Sequence, residues 1–173
     1  RVTAIELDPG VVDIATQYFG LDRDKLDVKI GDGLAVAMVD EPTEARSQLL
    51  FQAGSFHFIV IDVDAKDTAK GMSCPPAAFV EPAYLRTLSM LLRPNSGVLA
   101  INVSARDPNL FKSVCQAVAS VFPSVVLSKK STAEESDDCD EDVNVVVIAS
   151  TNPDQRLPSA KALESNLNGF SNI

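Results

Sequence analysis

Apolar and polar positions fall into short blocks along the chain, and their spacing switches between two periods. Val2–Leu7 (VTAIEL) is a β-rich run followed at once by Asp8-Pro9. Aspartate is a good N-cap and proline suits the first helical turn, so a helix is predicted from Pro9 to about Phe19, closed by Gly20. Val28–Ile30 predicts a second strand, ending at Gly31-Asp32-Gly33, with a helix from Leu34 to about Val39 and a helical continuation near Glu44–Gln52. Phe56–Ile61 (FHFIVI) is almost wholly apolar, as expected of a strand covered on both faces. Asp62–Phe79 reads as a long loop. Pro82 opens a helix with Leu85, Leu88, Leu91 and Leu92 at helical spacing, Arg93–Gly97 is a turn, and Val98–Val103 is another buried strand. Asp107-Pro108 repeats the cap-and-proline opening before a stripe of Phe111, Val114, Cys115, Val118, Val121 and Phe122. Val125–Leu127 and Val143–Ala149 are expected as a hairpin-like antiparallel pair at the sheet edge, and a weak helix is predicted around Ser159–Leu167.

Alternating strands and helices predict an α/β fold: a mostly parallel sheet, helices on both faces, and an antiparallel terminal strand. Residues 1–150 are read as one domain and 151–173 as a C-terminal helix and tail. Length and composition agree, since 173 residues with 46% hydrophobic and 23% charged positions suit one globular core. No apolar run is long enough for a membrane helix and no signal-peptide pattern opens the chain, so no membrane association is expected. Three cysteines, odd in number and without CxxC spacing, indicate neither a disulfide framework nor a zinc cage. A reduced, cytoplasmic protein is the expectation.

The net charge of −9 is concentrated in one place. Residues 131–142 hold seven acids and no base, and setting them aside takes the net charge from −9 to −2. The remaining body is nearly neutral, so a nucleic-acid surface is not expected. The acidic loop reads as a solvated insertion or as a docking site for a basic partner.

In an open α/β sheet, ligands bind outside the carboxyl ends of the strands. Three successive strand ends here carry acids: Glu6 (then Asp8), Asp32 between two glycines, and Asp62 with Asp64. Glu6 can accept hydrogen bonds from two vicinal ribose hydroxyls, or it can help cap the following helix. Asp32 stands in a turn whose glycines let the backbone approach a flat ring, where its carboxylate can accept from an exocyclic amine; it also reads as an ordinary turn aspartate. Asp62 is placed to orient a substrate amine or take its proton, with Asp64 and Asp67 as further candidates or as solvated loop acids. His57, the only histidine, lies in an apolar run and is expected in the core, which leaves nucleophilic serine or cysteine chemistry without a base. The acids lack histidine or cysteine partners at metal-ligand spacing, so no metal is expected. Cys115 falls on the helix stripe, while Cys74 lies in a proline-flanked loop open to exposure.

Arg1–Gly10 (RVTAIELDPG), Tyr18-Phe19-Gly20, Gly31-Asp32-Gly33 and Phe58–Asp62 together resemble the spermidine-synthase-like branch of class I S-adenosylmethionine-dependent methyltransferases. Asp62–Asp67 (DVDAKD), Gly71–Pro76 (GMSCPP) and Phe79-Val80-Glu81 are similar, more particularly, to the C-terminal domain of the dual methyltransferases that modify translation elongation factor 1-alpha. The resemblance runs to about Ser150. It implies S-adenosylmethionine as cofactor, with Glu6 and its neighbour Leu7 at the ribose and Asp32 with Gly33 at the adenine. Asp62 and Asp64 become the catalytic candidates beside the sulfonium and the acceptor amine, with Asp62 counted among the cofactor-binding residues as well. The implied substrate is a protein, elongation factor 1-alpha, methylated at its N-terminal α-amine or a lysine by in-line displacement; an oligomer is possible.

Two departures qualify what the resemblance implies. Polyamine synthases carry Asp-Ser-Ser-Asp at the fourth strand, whereas Val63 follows Asp62 here and Ala65 stands where the second acid would be. This favours methyl transfer over the rival aminopropyl transfer. The chain also begins at what the family treats as its second strand, so it reads as an N-terminally truncated domain lacking the first strand and the glycine-rich loop. A non-catalytic scaffold is therefore the other rival.

Overall fold

The computed structural model describes residues 1–37, 51–65, 72–129 and 143–154. The acidic loop, Asp67, Gly71, the continuation at 44–50 and the helix expected at 159–167 lie outside the described residues. The chain forms two compact units, Arg1–Phe51 and Gln52–Ile173.

In the first unit the order is β1 (Val2–Glu6), α1 (Pro9–Tyr18), β2 (Leu26–Ile30) and α2 (Gly33–Ala37). The start of α1 is set locally. Asp8 is extended at φ −101° and its Oδ1 accepts from the Gly10 amide at 2.8 Å, while Pro9 contributes a fixed φ at a position with no hydrogen bond to lose. At the other end the Phe19 and Leu21 amides both close on the Ala15 carbonyl at 3.1 Å, and Gly20 takes the left-handed φ of +72° that this reversal requires. The helix thereby connects two parallel strands, β1 and β2, in register from Val2↔Leu26 to Glu6↔Ile30.

The second unit holds β3 (Phe58–Ile61), β4 (Met72–Cys74), a 3-10 turn (Ala77–Val80), α3 (Pro82–Leu91), β5 (Val98–Ala105), α4 (Pro108–Ala119), β6 (Ser124–Lys129) and β7 (Val143–Ser150). Its sheet runs β3-β5-β7-β6, with β4 on the end of β5. β3 and β5 are parallel; β7 runs against both its neighbours, so β3, β5 and β6 share one direction. The terminal pair is antiparallel as expected, but the last strand is not at the edge. β7 enters between β5 and β6, and Val145, Val147 and Ala149 are all buried. Placement between two strands gives a largely apolar strand two ladder partners and hides its apolar residues from solvent.

One face of this sheet is packed. Leu99, Ile101, Val103 and Ala105 alternate along β5 and are fully buried, and Leu85, Leu88 and Leu91 of α3, Leu92 just after it, Val114 and Val118 of α4, and Phe122 are buried with them. Phe79 meets Tyr84 edge-on at a centroid distance of 5.3 Å. The opposite face behaves differently in β3, where Phe58 and Val60 are 54% and 56% exposed while Ile61 is buried. The expectation of cover on both faces of this strand therefore fails, and so does a core position for His57, which is exposed just before β3. An apolar run reports that a strand is attractive to cover, not that described residues cover it. β4 is a further difference: three residues of the expected loop pair antiparallel with Ser104 and Ala105. Among the described residues no helix is long and apolar enough to cross a membrane.

Candidate active site

The carboxyl ends of β1 and β2 lie side by side because the strands are parallel and in register. Glu6 pairs with Ile30, and the Gly31 amide donates to the Glu6 carbonyl at 2.9 Å, which carries the ladder one residue past β2. Glu6 and Asp32 thus leave the same end of a two-stranded sheet. Glu6 is half-buried, and its Oε1 accepts from the Asp8 amide at 2.9 Å. Asp8 holds the Gly10 amide, so the two acids share the helix entrance and Glu6 has a local role as well as a free-ranging second oxygen. Asp32 is exposed, and its Oδ1 accepts from the Leu34 amide at 2.9 Å, capping α2. Beside it, no atom other than its chain neighbours lies within 4 Å of where a β-carbon on Gly31 would stand. A flat ring can reach the backbone there. Gly33 starts α2, and Leu7 is exposed at the strand end.

The second unit positions Asp62 by the same means. Ile61 pairs with Ile101, so the next residues, Asp62 and Asn102, fall on one face of the sheet. The Asn102 side-chain amide donates to Asp62 Oδ1 at 3.0 Å. Behind them, the buried Cys74 Sγ donates to the Asn102 carbonyl at 3.3 Å. Burial pushes the Cys74 thiol above its ordinary value, and the charges of Asp62 and then Asp64 push it further, against a smaller opposing hydrogen bond from the Val63 backbone. Cys74 is therefore a neutral, enclosed thiol, not the exposed loop cysteine its proline neighbours suggest. The segment beyond Asp62 is tied down by the Ala65 amide, which donates to the Ser73 carbonyl at 2.9 Å. Asp62 and Asp64 themselves are exposed. Among the described residues no group of three or more His, Cys, Asp or Glu side chains could hold a metal ion.

No family model matches the chain. The human protein named eEF1A lysine and N-terminal methyltransferase is 34% identical over 166 residues, covering 95% of this chain and 21% of that protein. The chain spans about a fifth of the length of such curated relatives. The crystal structure of human methyltransferase-like protein 13 in complex with SAH matches with a TM-score of 0.70 and 32% identity, over 96% of this chain and 70% of that one. The chain belongs to this methyltransferase family. A probable spermidine synthase from Corynebacterium glutamicum has the same TM-score of 0.70 at 19% identity, over 95% of this chain and 51% of that one, which shows a shared fold.

In this chain the sequence places Glu6 and Asp32 at one sheet end, and the structure brings those two together. Asp62 and Asp64 belong to the second unit, with Cys74 and Asn102. Asn102 was missed. Its signal was present, as a polar position between Ile101 and Val103, and only the strand register reveals what it faces.

Proposed function

We propose that the chain is part of an S-adenosylmethionine-dependent protein methyltransferase whose acceptor is an amine of translation elongation factor 1-alpha, at its N-terminus or a lysine. The observation that carries the reading is the pair of carboxylates at the adjoining ends of two parallel strands, in a chain whose relatives are named for this activity. When bound, the cofactor supplies a methyl group made electrophilic by a sulfonium. Glu6 and Leu7 hold the ribose side, with Glu6 accepting from hydroxyls through the oxygen its Asp8 contact does not use. Asp32 and Gly33 hold the adenine, where the open space at Gly31 admits a ring. Asp62 orients the acceptor amine and holds or accepts its proton, and Asp64 adds negative charge that favours cationic groups.

The test is methyl transfer by the full-length protein to a peptide copying the N-terminus of elongation factor 1-alpha, with and without a blocked α-amine. Labelled product on the free peptide alone is expected for α-amine transfer, and label on a lysine-containing peptide for lysine transfer. Putrescine with decarboxylated S-adenosylmethionine tests the aminopropyl reaction in parallel. Product only in that arm would overturn the methyltransferase reading.

A further inference from the structure

We infer that Asn102 is a positioning residue for methyl transfer, acting through Asp62; the inference rests on the role proposed for Asp62 above. Three observations converge on it. The parallel register that pairs Ile61 with Ile101 makes Asp62 and Asn102 same-face neighbours on strands about 4.8 Å apart. Their side chains meet at 3.0 Å, with the Asn102 NH2 group donating to Asp62 Oδ1. Finally, the two partners are not equally held. Asn102 is half-buried in β5, in register with Val146 of β7, and its carbonyl takes the Cys74 thiol at 3.3 Å. Asp62 lies one residue past the end of β3 and is exposed.

The fixed member is therefore the amide, and the carboxylate is the group it restrains. An amide inside an otherwise apolar stretch of strand is costly unless it has a partner, and Asp62 is the side-chain partner it finds. With one carboxylate oxygen held, Asp62 keeps a single orientation and leaves its other oxygen to the acceptor amine. Without the amide the carboxylate rotates freely on an exposed segment, and the amine loses its fixed point of approach.

The experiment is a double-mutant cycle on methyl transfer to the elongation-factor peptide by the full-length protein. Asn102→Ala is expected to lower kcat by roughly ten- to a hundredfold, the scale of a misplaced reacting group. The Kd for S-adenosylhomocysteine should stay within about twofold, because that product lacks the sulfonium charge Asp62 would face and its ribose and adenine are assigned to Glu6, Leu7, Asp32 and Gly33. In an Asp62→Asn background the same substitution should cost nothing further, since the group it acts through is gone. Asn102→Leu, close in size, replaces alanine if the smaller side chain leaves the strand unfolded. A wild-type kcat in either folded variant, or equal losses in both backgrounds, would overturn the inference while leaving the proposed function intact. A wild-type protein that transfers no methyl group would remove both, and would do so before any variant is compared.

Discussion

Carboxylates at strand ends serve two masters in this chain, and the balance between them sets what a substitution should do. Glu6 gives one oxygen to the Asp8 amide at 2.9 Å, so Glu6→Ala removes a local helix contact along with any ligand contact. The predicted loss in S-adenosylhomocysteine binding is about 1.5–3 kcal/mol by calorimetry, the scale of hydrogen bonds to charged groups. Unchanged affinity would remove Glu6 from the site. Cys74 makes a different prediction. Its thiol is raised above the ordinary 9.0 by burial and by Asp62 and Asp64, so the folded state keeps that proton to higher pH than the unfolded chain does. The resulting stability is complete below about pH 9 and is lost as the pH rises through the raised folded value. Denaturant unfolding of wild type and Cys74→Ala should thus draw closer from about pH 9 up to the raised folded value, and no further beyond it. A constant difference between them would mean the thiol titrates normally.

Elements in this chain begin where local chemistry says and pair where it cannot. Asp107 shows the first half: its Oδ1 accepts from the Asn109 amide at 2.8 Å and Pro108 follows, the same device as Asp8-Pro9. Asp107→Ala should destabilise the second unit by about 1 kcal/mol in denaturant melts. The Arg93–Gly97 turn shows how space decides a residue. Gly97 is buried, and a β-carbon there would stand 2.6 Å from Leu92 Cβ and 2.9 Å from the Arg93 carbonyl oxygen, both parts of the packed turn. Gly97→Ala should therefore lower the thermal midpoint through crowding, at a cost of about 1–3 kcal/mol. The second half is β4. Nothing local in Met72-Ser73-Cys74 marks a strand, because its hydrogen bonds come from Ser104 and Ala105 some thirty residues on.

At the scale of the whole molecule, stability of the second unit rests on the layer between one sheet face and α3 with α4. Leu99 is fully buried there, and Leu99→Ala should cost about 2–5 kcal/mol. The sequence by itself determined the helix starts and stops, the α/β class, and the acids at strand ends, because capping and periodicity are written in neighbouring residues. Glu6 and Asp32 were legible for that reason. Only the tertiary structure decided that β7 enters between β5 and β6, that β3 leaves Phe58 and Val60 exposed, that Cys74 is enclosed, and that Asn102 faces Asp62. Each of these depends on strand order and register, which bring together residues far apart in the chain through hydrogen bonds that any backbone can make; the side chains along one strand do not name the strand beside it.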